Sequence, residues 1–197
     1  MKALKIVAAV LVASMTAVGA VGEEAVASEI QAKPALVWLP GIGNIPYQRI
    51  FETVSEPGES LDDFMLRISP ALHAYTLETG FEACGLIAKG GDGRHGVVMG
   101  SNHAQLSCVL VKVVPAGMTV THMSIHSHPP DDLVVLNSID RQIMGFSPVR
   151  TTYRTDADSF SAMDKAGYLL STQTGLLLSQ ARVGGRNVRR IGRISTR

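Results

Sequence analysis

The chain has 197 residues, 46% of them hydrophobic and 18% charged, and its formal net charge is +1. This length and composition fit one globular domain, and they exclude a disordered polyelectrolyte. No nucleic-acid partner is expected, although the net charge hides a basic tail at 181–197 that could contact nucleic acid, anionic lipid or a glycan polyanion.

Residues 1–27 have the pattern of a secretory signal peptide. Lys2 and Lys5 precede an apolar run, and small residues suitable for cleavage follow at positions 18–20 and 25–27. An N-terminal membrane anchor is the alternative, but the apolar run is short for a span. We therefore expect a periplasmic or secreted protein with no membrane span after cleavage.

Residues 28–58 are rich in Pro and Gly without a sustained period, which predicts a loosely packed arm with Trp38 as its anchor. A domain is expected over 59–180. It opens with a helix capped by Ser60, and a second helical start at Pro70 closes at Gly80.

Short apolar and β-branched runs then predict strands over 81–89, 96–102, 107–114 and 120–128. Residues 133–158 are interpreted as an insertion that contains a helix. A brief helix and a strand–turn–strand unit complete the domain, and 181–197 forms a basic, loosely docked tail with six arginines. This order predicts an α/β (mixed α+β) fold, in which helices flank a mixed β-sheet.

The two cysteines, Cys84 and Cys108, leave two possibilities open. In an oxidising compartment they can form a disulfide. They can equally be two small, buried apolar residues. Neither choice gives a four-cysteine zinc site.

His126 and His128 are the strongest candidates for metal ligands. They occupy alternate positions of a predicted strand, so their side chains lie on one face and can converge on one ion. A third, acidic ligand is available from Asp164 or from Asp140. Two histidines and one aspartate leave a fourth position open to water, as a catalytic zinc requires.

The sequence does not decide which of the two aspartates is the third ligand. Asp164 ends Ser161-Ala-Met-Asp, which is also a capping-box pattern. Asp140 is closer to the histidines in sequence, in Asn137-Ser-Ile-Asp. Glu82, an acid at the start of an apolar strand, is the candidate general base for hydrolysis. A strand-end carboxylate that reaches solvent is the alternative for Glu82.

Together these pieces resemble the JAB/JAMM (MPN-type) zinc metalloprotease superfamily. The resemblance covers roughly residues 60–180 and rests on Glu82 before Cys-Gly-Leu, on His-Ser-His-Pro at 126–129, and on Ser161-x-x-Asp164. It implies that His126, His128 and Asp164 bind Zn²⁺, that Glu82 is the general base, and that Ser161 stabilises the oxyanion. The Asp is much farther from the second His than is usual in that family, which is why 133–158 is interpreted as an insertion.

The resemblance implies an exported zinc metallopeptidase that hydrolyses an amide or isopeptide bond through a zinc-activated water. Its substrate would be a peptide, a protein or the peptide part of peptidoglycan. Two alternatives are a non-catalytic binding or assembly module of the same fold and a periplasmic metal-binding protein. The second alternative explains neither Glu82 nor the segment around Asp164.

Overall fold

The computed structural model describes residues 33–130, 133–145, 152–154, 160, 166–181 and 187–195. The predicted signal peptide lies outside these ranges. Within them the chain forms ten strands and two helices, in this order: β1 Ala35–Leu39, β2 Gly43–Val54, α1 Leu61–Thr79, β3 Cys84–Lys89, β4 His95–Ser101, β5 Thr119–His128, β6 Leu133–Val135, α2 Ser138–Met144, β7 Thr152–Arg154, β8 Gly167–Ser171, β9 Leu176–Gln180 and β10 Arg189–Arg193.

Eight strands form one mixed sheet in the order β1-β2-β4-β3-β5-β8-β9-β10, and β6 pairs with β7 in a separate ribbon. The β5–β8 pair is parallel and every other neighbouring pair of these strands is antiparallel. The predicted mixed α+β fold is therefore confirmed. No helix in the described part of the chain is long and apolar enough to cross a membrane.

The α1 helix packs one face against the sheet. The Ser60 hydroxyl accepts a hydrogen bond from the backbone N–H of Asp63, and Gly80 ends the helix in the left-handed conformation, at a φ of 71°. Both predicted ends are therefore confirmed. The expected break at Pro70 is wrong, because the helix continues through it. Apolar residues before and after Pro70 share the buried face, and their packing outweighs the lost backbone hydrogen bond.

The predicted arm is wrong for residues 35–54, which form the β1–β2 hairpin, and β2 pairs with β4 inside the sheet. A bulge between Arg49 and Phe51 interrupts β2, so that Ile50 and Phe51 are both buried. The bulge breaks the period of two and hides the strand from pattern reasoning. Trp38 is 65% exposed, so it is not the buried anchor that was expected.

Two further predictions need correction. Residues 107–114 form no strand, because β3 is already paired with β4 on one side and with β5 on the other. The basic tail is not loosely docked throughout, because residues 189–193 form β10 and pair with β9. Within 133–158, Leu133–Val135 form strand β6, and the helix expected in this segment is α2, which starts at Ser138.

The two faces of the sheet have different roles. The main core lies between α1 and one face, and it includes Phe64 and Leu72 of the helix together with Ile125, Leu170 and Leu177 of the strands. Successive residues of a strand point to opposite faces. The residues that alternate with Ile125, including both candidate histidines, therefore lie on the face that is turned away from α1.

Candidate metal centre

His126 and His128 lie at the end of β5, in the middle of the sheet. His126 is opposite Cys84 of β3 and Leu169 of β8, and His128 is opposite Ser171. Their Nε2 atoms are 3.2 Å apart and their ring centroids 4.9 Å apart. The structure thus brings the two predicted ligands together, and in both histidines Nε2 is the ring nitrogen that faces the other ring.

This spacing suits two kinds of interaction. Without a metal, one Nε2 can carry a proton and donate it to the other. With a tetrahedral zinc, Zn–N distances of about 2.0–2.1 Å would place the two nitrogens about 3.3 Å apart. The observed 3.2 Å between the Nε2 atoms is compatible with either interaction.

Glu82 is also brought to the histidines. Its Oε1 is 4.0 Å from Nε2 of His128, and the residue is only 6% exposed. Its backbone is fixed by two hydrogen bonds: its N–H donates to the carbonyl of Ala104, and its carbonyl accepts from the Ser101 hydroxyl. The carboxylate therefore faces the histidine pair from a rigid position just before β3.

Ser127 lies between the two histidines, points to the opposite face and stabilises the backbone around the site through hydrogen bonds. Its hydroxyl lies 2.7 Å from Oγ1 of Thr76 in α1 and accepts a hydrogen bond from the backbone N–H of Ala83. The Ser127 N–H also donates to the carbonyl of Ala83. One buried side chain thus joins the histidine strand, the helix and the residue next to Glu82.

A second set of hydrogen bonds holds the backbone of His128. Its carbonyl accepts from both the N–H and the hydroxyl of Thr172. The carbonyl of Thr172 lies 2.9 Å from Nε2 of the buried His73, so this ring nitrogen carries a proton. We did not predict Ser127, Thr172 or His73 from the sequence; only the position of Ser127 between two candidate ligands gave a signal.

Asp140, one of the two candidates for a third ligand, has a structural role. Its Oδ1 accepts hydrogen bonds from the backbone N–H groups of Gln105 and Leu106, and its Oδ2 accepts one from Asn137 at the start of α2. The carboxylate is completely buried. Oδ1 thus connects α2 to the segment that follows β4, and Oδ2 caps the start of α2.

Asp164 and Ser161 lie outside the described residues. In that neighbourhood the structure describes Phe160, whose ring meets His126 edge-on at 6.1 Å between centroids. Among the described residues, no group of three His, Cys, Asp or Glu side chains is arranged to hold a metal ion. The described part of the site therefore consists of two histidines and the Glu82 carboxylate.

A disulfide forms one side of the site. Cys84 and Cys108 are bonded, with their Cα atoms 5.9 Å apart, which settles the choice that the sequence left open. Next to it, His103 stacks on Phe81 at 5.1 Å, and burial lowers the pKa of its imidazole. The disulfide and this stack hold the segment after β4 against β3 and the residues just before it, which include Glu82.

No protein-family model, no curated protein and no solved structure matches this chain.

Proposed function

We propose that the chain is an exported zinc-dependent metallopeptidase of JAMM type that hydrolyses an amide or isopeptide bond. One observation carries the proposal: two Nε2 atoms 3.2 Å apart lie beside a buried carboxylate whose Oε1 is 4.0 Å from one of them. A buried carboxylate beside a pair of histidines is a combination that clusters at functional sites.

His126, His128 and Asp164 would hold the zinc. The geometry of Asp140 supports this choice of the third ligand, because the carboxylate of Asp140 already accepts three backbone hydrogen bonds. Zinc, when bound, would supply a water with a pKa of about 7 and would polarise the scissile carbonyl.

The position of the Glu82 carboxylate beside His128 supports a role as general base. It would accept a proton at a carboxylate oxygen as the water attacks the carbonyl carbon, and would deliver it to the leaving nitrogen when the C–N bond breaks. Ser161 would donate a hydrogen bond to the oxyanion, as the family resemblance implies. Ser127 and Thr172 would keep the histidines and Glu82 in register.

The predicted signal peptide would place the substrate outside the cytoplasm. A peptide, a protein or the peptide cross-links of peptidoglycan are the substrates available there that contain amide bonds. Their hydrolysis uses only water, so no further cofactor is needed.

The proposal is tested with the purified mature protein. Its metal content, measured by mass spectrometry, should be about one zinc per chain, and Glu82→Gln should keep the zinc and abolish peptide hydrolysis. Asp164→Asn should lose zinc, whereas Asp140→Asn should keep it and lose stability instead. Zinc retained by Asp164→Asn would refute the ligand set, and turnover retained by Glu82→Gln would remove Glu82 from the mechanism.

A further inference from the structure

The two edges of the eight-stranded sheet differ in composition. The β10 strand, at one edge, contains three arginines in five residues and is interrupted by a bulge between Arg190 and Gly192. Charges and bulges of this kind protect an edge strand from pairing with another chain. The β1 strand, at the other edge, reads Ala-Leu-Val-Trp-Leu, without a charge, a proline or a bulge. The β1 edge therefore lacks the protection that the β10 edge has.

The β1 strand also exposes two large apolar side chains. Leu36 is 73% exposed and Trp38 is 65% exposed. The two residues are two positions apart in one strand, so their side chains project to the same face. Elsewhere in the described part of the chain, the large apolar side chains that are exposed are single ones, Leu77 in α1 and Val188 before β10. The apolar pair thus coincides with the unprotected edge.

The backbone of β1 is oriented for further pairing. On β2, the carbonyl of Pro46 accepts a hydrogen bond from Asn102, and the carbonyl of Asn44 accepts one from Gln142. Both carbonyls therefore point away from β1, and Pro46 has no N–H to offer. Their partners in the register are Leu36 and Trp38, which are consequently at the positions of the hairpin that exchange no hydrogen bonds.

At such positions the N–H and C=O groups of both strands point outward. Leu36 and Trp38 therefore direct their backbone donors and acceptors to the outer edge of β1. No strand of the described part of the chain pairs with this edge. The two residues with exposed apolar side chains are thus also the two with backbone groups available for another strand.

The sequence of β1 is complementary to itself in an antiparallel pair. When the pair is centred on Val37, Leu36 of each copy lies opposite Trp38 of the other, and all five residues of both strands are paired. Each Leu–Trp pair can exchange two backbone hydrogen bonds, which gives four across the two-fold axis. The two neighbouring registers with outward groups in contact are poorer, because they place Pro34 opposite Trp38 or Pro40 opposite Leu36.

The residues that precede β1 are poor competitors for its outer edge. They would have to reverse direction at Lys33 and Pro34. A proline cannot adopt the positive φ that a type I′ turn requires at its second central position, and a type II′ turn requires glycine where Lys33 stands. A second copy of β1 meets no such obstacle.

The size of the contact indicates how stable such a pair would be. A tryptophan side chain contributes up to about 250 Å² of buried surface, and Trp38 exposes 65% of its own. Together with Leu36 and the strand backbone, each copy would bury about 500 Å², and the total of about 1,000 Å² is at the lower limit for specific interfaces. The paired strands carry no charge, so neither repels the other. This area fits a reversible dimer and not an obligate one.

We propose that two copies of this chain associate through antiparallel pairing of their β1 strands, centred on Val37, into one continuous sheet. The interface consists of the outward backbone groups of Leu36 and Trp38 and of the two Leu–Trp contacts. The inference does not depend on the proposed peptidase function, because it concerns the opposite edge strand from the one next to β9 and no residue of the candidate metal centre.

Trp38 is the single tryptophan of the chain and reports directly on this interface. Between about 1 and 100 µM protein, we expect its fluorescence emission to shift to shorter wavelength while sedimentation velocity changes from monomer to dimer. Leu36→Lys should weaken the association at least about tenfold, because it places a charge at the edge. Leu77→Lys is the matched control, since Leu77 is also an exposed leucine but lies on α1.

Cross-linking tests the register. Val37 would lie opposite its own copy with the Cα atoms about 4.5 Å apart, within the range of a disulfide. Ala35 would lie opposite Leu39 of the second copy, about 13 Å from the other Ala35. Mild oxidation should therefore convert Val37→Cys to a covalent dimer and leave Ala35→Cys monomeric, while both native cysteines remain bonded to each other.

Several results would overturn the proposal. A monomer at 100 µM, whatever the emission of Trp38, would show that no second copy occupies the edge. Equal association of Leu36→Lys and Leu77→Lys would place the interface elsewhere. Equal cross-linking of Val37→Cys and Ala35→Cys would exclude the register centred on Val37. Assemblies larger than a dimer would contradict the two-fold pairing, which closes with two copies.

Discussion

The buried hydroxyl of Ser127 is a small group with several structural consequences. Ser127 lies between His126 and His128 in sequence, and its side chain points to the opposite face of β5. There its hydroxyl contacts both Thr76 of α1 and Ala83, the residue that follows Glu82. A buried hydrogen bond contributes only modestly to the free energy of unfolding while both partners are present. Removing one partner has a larger effect, because the other is left buried without a hydrogen bond. The alignment of Glu82 with the histidines therefore depends on a side chain that touches none of the three.

We expect Ser127→Ala to lower the free energy of unfolding by about 1–3 kcal/mol, because the Ala83 N–H and the Thr76 hydroxyl lose a buried partner. Urea unfolding measures this change. Ser124→Ala is the matched control, since Ser124 is also a buried serine of β5. An equal effect of both substitutions would show that the loss comes from the strand in general and not from the hydrogen bonds of Ser127.

At the scale of elements, the start of β8 shows how closely its chain approaches β5. Gly167 lies opposite Ser124 with a φ of 146°, and a Cβ at this position would be 1.8 Å from the Ser124 carbonyl oxygen. Only glycine allows the two parallel strands to pair at this point. The same pairing continues to His126 and His128, so the approach of β8 also determines what surrounds the site.

Gly167→Ala should destabilise the fold by more than the roughly 1–2 kcal/mol expected for an alanine in a left-handed conformation. Gly58→Ala separates conformational strain from steric clash, because Gly58 has a φ of 79° with nothing near its Cβ position. Thermal unfolding of both variants provides the comparison. Equal losses of stability in the two variants would contradict the prediction, because they would show that β8 can move away from β5 without a measurable loss of stability.

Features encoded locally were predictable from the sequence, and those set by distant contacts were not. The ends of α1 follow from Ser60 and Gly80, and the histidine pair follows from alternation along one strand. The β2 strand was missed because its bulge breaks the period. Residues 107–114 have strand composition, but no sheet edge is free to pair with them beside β3.

The candidate site shows the same division. Convergence of His126 and His128 needs only their spacing, whereas the approach of Glu82 needs the pairing of β3 with β5. The structural role of Asp140 depends on backbone N–H groups about 35 residues away in sequence, which no local pattern reveals. The contact between His73 and Thr172 spans 99 residues and became visible only in the folded chain.

At the scale of the whole molecule, the disulfide connects the irregular segment after β4 to the centre of the sheet. Cys84 lies directly opposite His126, and Cys108 is 24 residues farther along the chain than Cys84. The bond limits the unfolded chain more than the folded one, because closing a loop removes conformations from the unfolded ensemble. An exported protein would keep this bond in an oxidising compartment.

Reduction should therefore lower the free energy of unfolding by about 3.5 kcal/mol, which is the entropic contribution expected from closing a loop of this length. Urea unfolding of metal-free protein with and without a phosphine reductant measures the difference, and EDTA keeps metal binding from contributing. C84A/C108A is the control, since its stability should not respond to the reductant and should be close to that of the reduced protein. An unchanged unfolding midpoint after reduction would contradict this prediction. Hydrogen bonds such as those of Asp140 would then hold the segment without help from the disulfide. Residual structure in the reduced, unfolded chain would have to explain why reduction does not raise the entropy of that chain.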